Sequence, residues 1–304
     1  MKKLLYIIGI VITLAACQNN EDLWQSPASG TPSLVTISMS PIEAAYGEVV
    51  SRGVEDYTGE TIQDLLYRLQ YIVADEAGNF VARDTLDTAA IANFQSLRLS
   101  LGRGHYTLYM LGEGLNTSLS HTMEELREVS TPSDVWYHNI RFQPVRREVF
   151  YAQRAFTVDG SGSGISLDVE LQRQVGMLDI TVNCTDETFK LLGLTVMIPD
   201  AYAANQMSVD GQFSFDTLDA NGTGWYWTKN IGYGNAYIAT EGDNYRARFF
   251  MFPTLPDYEG ENTPRIMFSY LLGKGDNNLY NKEILLKDLK IEANRVTTIA
   301  INVE

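Results

Sequence analysis

Tyr67-Arg68-Leu69-Gln70-Tyr71-Ile72-Val73-Ala74 runs into Asp75-Glu76-Ala77-Gly78-Asn79, and Phe80-Val81-Ala82-Arg83-Asp84-Thr85 follows. Tyr67, Leu69, Tyr71 and Val73 recur at every second position, with Arg68 and Gln70 between them. A strand sends successive side chains to opposite faces, so this spacing makes one apolar and one polar face. The Asp75–Asn79 cluster carries the residue types that close tight turns, so the whole stretch predicts a β-hairpin.

The same period continues outward. Leu97, Leu99 and Leu101 alternate with Arg98 and Ser100; Gly102-Arg103-Gly104 turns the chain, and His105–Leu111 returns. Further strands are expected at Leu167–Leu171, Met177–Asn183, Leu192–Ile198, Arg246–Phe252, Arg265–Leu271, Glu283–Leu289 and Val296–Val303. Asp210-Gly211 and Asn221-Gly222 mark two more hairpins, read as type I′ turns in which both central residues take positive φ. The best helix signal is Thr122–Val129, where Thr122 as N-cap and Glu125 form a capping box. One or two short helices are expected in each half at most. Many short strands at this spacing predict an all-β chain of β-sandwiches, because two sheets can bury each other's apolar faces.

With 304 residues, two domains are expected. The segment Gly160-Ser161-Gly162-Ser163-Gly164 is read either as an interdomain linker or as a hairpin tip. The expected division is 1–17 leader, 18–33 flexible tether, 34–168 N-terminal sandwich and 169–304 C-terminal sandwich.

The leader opens Met1-Lys2-Lys3 and continues through uncharged Leu4–Ala16 to Leu14-Ala15-Ala16-Cys17. Thirteen uncharged residues suit a signal peptide and are too few to span the roughly 30 Å of hydrocarbon as a helix. The ending fits the bacterial lipobox, which makes Cys17 the lipidation site, and two or more acyl chains on it give stable anchoring. Cys184 is then left without a partner for a disulfide and reads as a small buried hydrophobe in a strand. The formal charge of −15, or −17 once Lys2 and Lys3 are removed, repels phosphate backbones. No nucleic-acid partner is expected.

Several segments resemble the fimbrillin superfamily of Bacteroidales fimbrial subunits, in particular the minor-fimbrium anchor type. They are Leu101–Tyr109, Val149-Phe150-Tyr151-Ala152, Val169–Ile180 with its Leu171-Gln172-Arg173 element, and Ala293-Asn294-Arg295 leading into the last strand. Glu21-Asp22, just after Cys17, is similar to the surface-export signal of Bacteroidetes lipoproteins. The resemblance implies two transthyretin-like sandwiches and a structural role in an adhesive fimbrium. It also implies a surface-exposed protein lipid-anchored in the outer membrane, with other fimbrial subunits as partners and a host or bacterial surface receptor beyond them. In such families an arginine-specific protease removes an N-terminal strand and a neighbour's strand fills the groove, whose unpaired backbone and apolar pockets the newcomer satisfies. Arg52, after the strand-like stretch Leu34–Met39, is the candidate cleavage point; the alternative is a surface arginine in a loop. No extra donor strand is read beyond Val303, which favours an anchor or accessory subunit unless Val296–Val303 is itself the donor.

Signs of catalysis are missing. His105, His121 and His138 form no HExxH or Cys/His zinc pattern. No serine in 160–164 has glycines at both −2 and +2, and Leu272–Asp276 lacks the spacing of a phosphate loop. Asp216, Asp219, Asn221 and Thr223 are oxygen ligands at close spacing, but Asn230 stands where a calcium loop needs Glu, so they read as a turn. No enzyme activity, metal or cofactor is expected. Trp225-Tyr226-Trp227 with Tyr233 and Tyr237 is the most aromatic patch. It is read mainly as a core row. It is also the basis of the second functional reading, a surface lipoprotein that contacts glycans through Trp225 and Trp227.

Overall fold

A computed structural model describes residues 31–42, 61–117, 127–138, 147–184, 190–199, 204, 206–214, 225–227, 231–232, 238–241, 244–254, 265–271, 279–286 and 289–303. The chain is all-β, with two short helices among these residues: α1 (Ile62–Leu65) and α2 (Thr88–Ala92). Asp87 caps α2 by accepting from the Ala90 N–H at 2.9 Å.

The first half builds two sheets. One has the order β4 (Leu97–Leu101), β1 (Ser33–Met39), β8 (Ile165–Val169). The other runs β3 (Phe80–Leu86), β2 (Leu66–Asp75), β5 (Gly104–Thr117), β7 (Arg147–Val158), β9 (Gln172–Arg173). Their facing side chains form one core, which includes Val35, Ile37, Leu99, Leu69, Val73, Leu108, Met110 and Val158.

The second half repeats the plan. One sheet has the order β16 (Ile238–Glu241), β17 (Asn244–Met251), β10 (Gly176–Cys184), β20 (Val296–Val303). The other is β14 (Trp225–Trp227), β11 (Lys190–Pro199), β18 (Arg265–Leu271), β19 (Leu279–Leu285), with β15 (Ile231–Gly232) also on β11. Strand by strand, β4-β1-β8 corresponds to β17-β10-β20, and β3-β2-β5-β7 to β14-β11-β18-β19. In both halves the middle strand of the first sheet has one antiparallel and one parallel neighbour. Leu178, Ile180, Val182, Leu194, Ile266, Ile301 and Val303 fill the second core.

A small sheet, β13 (Phe213–Ser214), β12 (Gln206–Ser208), β6 (Val135–His138), joins a strand of the first half to two of the second. It lies in a third apolar cluster that draws on the outer face of β2 and β5 (Ile72, Ala74, Tyr109, Leu111) and on Trp136, Tyr137, Met207, Phe250 and Phe252. Tyr137 and Phe252 meet edge to face with centroids 5.5 Å apart. The Trp136 indole N–H donates to Gln70 Oε1 at 2.7 Å. Burial on both faces explains why β2 carries Ile72 and Ala74 where simple alternation would put polar residues.

The hairpin of β2 and β3 closes through Glu76-Ala77-Gly78, with Gly78 at φ +83° and the Asp75 N–H donating to Asn79 O at 2.9 Å. Tyr67 departs from the expected face. A bulge between Leu66 and Arg68 gives Leu66 the inward slot at 1% exposure and leaves Tyr67 42% exposed. The Asp210-Gly211 turn is present, but only Gly211 (φ +79°) has positive φ, so the loop has three residues rather than the type I′ geometry. Asn221-Gly222 lies outside the described residues, and the flanking β13 and β14 sit in different sheets. The 160–164 segment connects β7 to β8, with Gly160 and Gly162 both at positive φ. The last expected strand before β20 falls at Leu279–Leu285 instead of Glu283–Leu289. Of the expected Thr122–Val129 helix only Arg127–Val129 are described; they are not helical, and the Arg127 N–H donates to Trp136 O at 3.0 Å.

Candidate strand-exchange groove

β1 lies in the middle of its sheet, antiparallel to β4 and parallel to β8. Its inward positions are Ser33, Val35 and Ile37, each with no solvent exposure, and Met39 packs against the same core. Leu34 points outward at 49% exposure. The register aligns rows across three strands: Leu99–Val35–Ile165 and Leu97–Ile37–Leu167, with Leu101 beside Ser33 and Val169 beside Met39.

No residue of β1 is charged. Its hold is therefore two backbone ladders plus apolar contact. Burial of Val35 and Ile37 contributes about 3–6 kcal/mol by area, an upper figure because unfolded chains already bury some surface. At its C-terminal end the Ser40 N–H donates to Val169 O at 2.9 Å, and Ser40 Oγ donates to Asp168 Oδ2 at 2.8 Å. The Ser33 hydroxyl is buried with no hydrogen-bond partner.

Chain connectivity matters here. β1 is followed by residues 43–60, which hold Arg52 and lie outside the described residues, and the chain resumes at Thr61. A cut in that segment would leave β1 held by non-covalent contacts alone. Without β1, β4 and β8 would stand about 9–10 Å apart, two strand spacings, with facing edges unpaired. The floor of that gap would be Leu97, Leu99, Leu101, Ile165, Leu167 and Val169. Such a slot would match an extended peptide whose alternate, inward side chains are apolar.

Three of the segments singled out by resemblance meet in space away from this groove. Arg173 on β9 pairs with Glu148 at 2.8 Å, both fully buried, and its Nη1 donates to Asn294 Oδ1 at 2.5 Å. Its guanidinium stacks over Phe150, 5.2 Å from the ring centre. Asn294, at φ 57°, donates its N–H to Val175 O at 2.9 Å, and the Met177 N–H donates to Arg295 O at 2.9 Å. The 149–152, 171–177 and 293–295 segments thus clasp the end of the first half to the entry of β20. Sequence patterns mark these residues without revealing that they touch.

Val296–Val303 is β20, paired along its length with β10, with Ile301 and Val303 in the second core. Cys184 ends β10. Trp225 and Trp227 lie on β14 opposite Pro199 and Met197 of β11, while Tyr233 and Tyr237 lie outside the described residues, as do Cys17, Arg52 and His121. His138 is the last residue of β6. His105 is exposed, with Nδ1 at 2.9 Å from Thr157 Oγ1. The buried carboxylates Glu113, Glu148 and Asp179 each face an arginine: Arg68, Arg173 and Arg246. Among the described residues no group of three or more His, Cys, Asp or Glu could hold a metal ion.

Residues 1–18 match the model of the prokaryotic membrane lipoprotein lipid attachment site. No curated protein matches the chain in sequence. Among solved structures, a candidate cell adhesion protein from Bacteroides eggerthii is 11% identical with a TM-score of 0.50, covering 91% of this chain and 88% of that one. A candidate adhesin from Bacteroides ovatus is 12% identical with a TM-score of 0.50, covering 90% and 93%. The fimbrial anchor protein Mfa2 from Porphyromonas gingivalis is 12% identical with a TM-score of 0.47, covering 79% and 77%. At these identities the likeness to the first two is one of fold: the chain is an all-β sandwich protein on their plan, behind a lipoprotein attachment motif.

Proposed function

We propose that this chain is a non-enzymatic structural subunit of a fimbrium, of anchor or accessory type, displayed at the outer membrane on a lipid carried by Cys17. It assembles by strand addition. The observation that carries the reading is β1: an uncharged strand, central in its sheet, joined to the rest of the chain through a segment containing Arg52. A neighbour's strand replaces β1 between β4 and β8, pairing both exposed edges and filling the same pockets. Cleavage after Arg52 removes β1 and the lipid together and yields a polymerising subunit. Displacement without cleavage leaves the chain anchored.

The chain divides into two sandwiches of the same strand order. We place the division at Gln174–Val175 rather than at 168/169, since β8 and β9 pair with strands of the first half and β10 with strands of the second. Adhesion to a host or bacterial surface follows from incorporation into the fimbrium.

Mild heating of surface fractions in detergent, followed by gel separation, tests the assembly. Ladders containing this chain are expected. A chain found only as a monomer, copurifying with no fimbrial partner, refutes assembly.

A further inference from the structure

We infer that β1 is an imperfect occupant of its own groove, and that the strand replacing it carries a small apolar side chain where β1 carries Ser33. The inference rests on the strand-exchange reading and names the partner strand by its chemistry.

Each inward position of β1 meets a defined set of neighbours. Val35 sits between Leu99 and Ile165, and Ile37 between Leu97 and Leu167; aliphatic side chains suit these slots. The slot beside Leu101 is equally dry, and Ser33 fills it with a hydroxyl that has no partner. The defect is confined to that position. Thr36 and Ser38 point to the other face, and Ser40 places its hydroxyl on Asp168 at 2.8 Å.

A hydroxyl stripped of water without a new hydrogen bond weakens the occupant that carries it, and an apolar residue of similar shape does not incur that loss. Replacement of one strand by an equivalent one is otherwise balanced, because ladder bonds and pockets are exchanged like for like. The unpartnered hydroxyl tips that balance. A donor with alanine at this position binds about five- to 150-fold tighter than β1 itself. The partner is therefore an uncharged strand of a neighbouring subunit whose inward positions are all apolar, starting with the residue opposite Leu101. β1 holds the fold until that strand arrives, and exchange then runs one way.

The test uses the full chain with a site-specific protease sequence built into residues 43–60, cut after folding. Labelled peptides spanning Ser33–Met39 compete for the groove: the native sequence, Ser33→Ala and, as an outward-facing control, Ser38→Ala. Expected is at least about fivefold tighter binding of the Ser33→Ala peptide, with the control equal to native. Equal binding of native and Ser33→Ala peptides overturns the inference while leaving strand exchange standing. Entry of none of the peptides overturns both. In the uncut chain, Ser33→Ala should raise the urea midpoint and Ser38→Ala should leave it unchanged; a lowered midpoint for Ser33→Ala also overturns the inference.

Discussion

Replacement of Ile37 by alanine should be among the most damaging single changes in the first sandwich. Ile37 has no solvent exposure and is flanked by Leu97 on β4 and Leu167 on β8. Loss of three carbons removes about 2.4 kcal/mol of transfer energy at about 0.8 kcal/mol per methylene. The void left between two neighbouring strands adds a cavity term, giving about 3–5 kcal/mol in total. A domain is typically stable by about 5–15 kcal/mol, so the variant should retain its fold with a sharply reduced margin. The control is Leu34→Ala, one residue earlier on the exposed face, which should stay within about 0.5 kcal/mol. Urea unfolding of both variants, followed by far-ultraviolet circular dichroism, measures the difference. If Ile37→Ala costs under about 1 kcal/mol, or no more than Leu34→Ala, then β1 is not a buried central strand and its removal leaves no apolar groove.

Two other changes probe the junction between the halves. Arg173→Ala should cost about 3–5 kcal/mol, since it leaves the buried Glu148 carboxylate without its cation, while replacing both residues by leucine should recover most of the loss in the same urea assay. Tyr151 is half-buried, and this desolvation raises its phenol above the ordinary value, with smaller contributions from Tyr109 and Asp210; its hydroxyl donates to Val209 O at 2.9 Å. Tyr71 is likewise pushed up to about 12, by burial first and Asp84 second. The unfolded chain therefore loses these protons first, so stability present below pH 10 declines as pH rises from 10 through the folded values. Tyr151→Phe should flatten that alkaline decline in thermal melts between pH 9 and about 11.

The strand content was legible because alternation is a local signal. The hairpin at Asp75–Asn79 follows from residues within twenty positions of one another. The turn at Gly102–Gly104 makes no such pair: β4 lies beside β1 and the returning β5 between β2 and β7, so the chain crosses there from one sheet to the other. Pairing partners were not legible. β1 lies beside β8, some 130 residues on, and nothing in either strand names the other. Alternation alone puts Tyr67 on the apolar face, because it takes no account of a bulge, which shifts the phase by one residue. The strand placed at Glu283–Leu289 begins earlier because β18 fixes its register from Leu271 opposite Leu279; Leu289 and Ile291, buried beyond its end, prolonged the apolar pattern. Helices of four and five residues are too short to show a 3.6-residue period. For the groove, Leu34–Met39 was recognisable as a strand before Arg52, but its central position required the fold. The clasp around Arg173 is visible in the sequence only as three separate motifs, because an ion pair and a hydrogen bond to a side-chain amide 121 residues away leave no spacing to read.

Locking β1 in place tests strand addition most directly. Thr36 of β1 stands opposite Arg98 of β4, both away from the core, and paired strand positions fall within disulfide reach. The variant Thr36→Cys/Arg98→Cys, expressed in cells that assemble fimbriae, should form the cross-link and be missing from the high-molecular-weight ladders while oxidised. Reduction should restore it to them. Equal incorporation of the oxidised and reduced forms would contradict strand addition in the β1 groove.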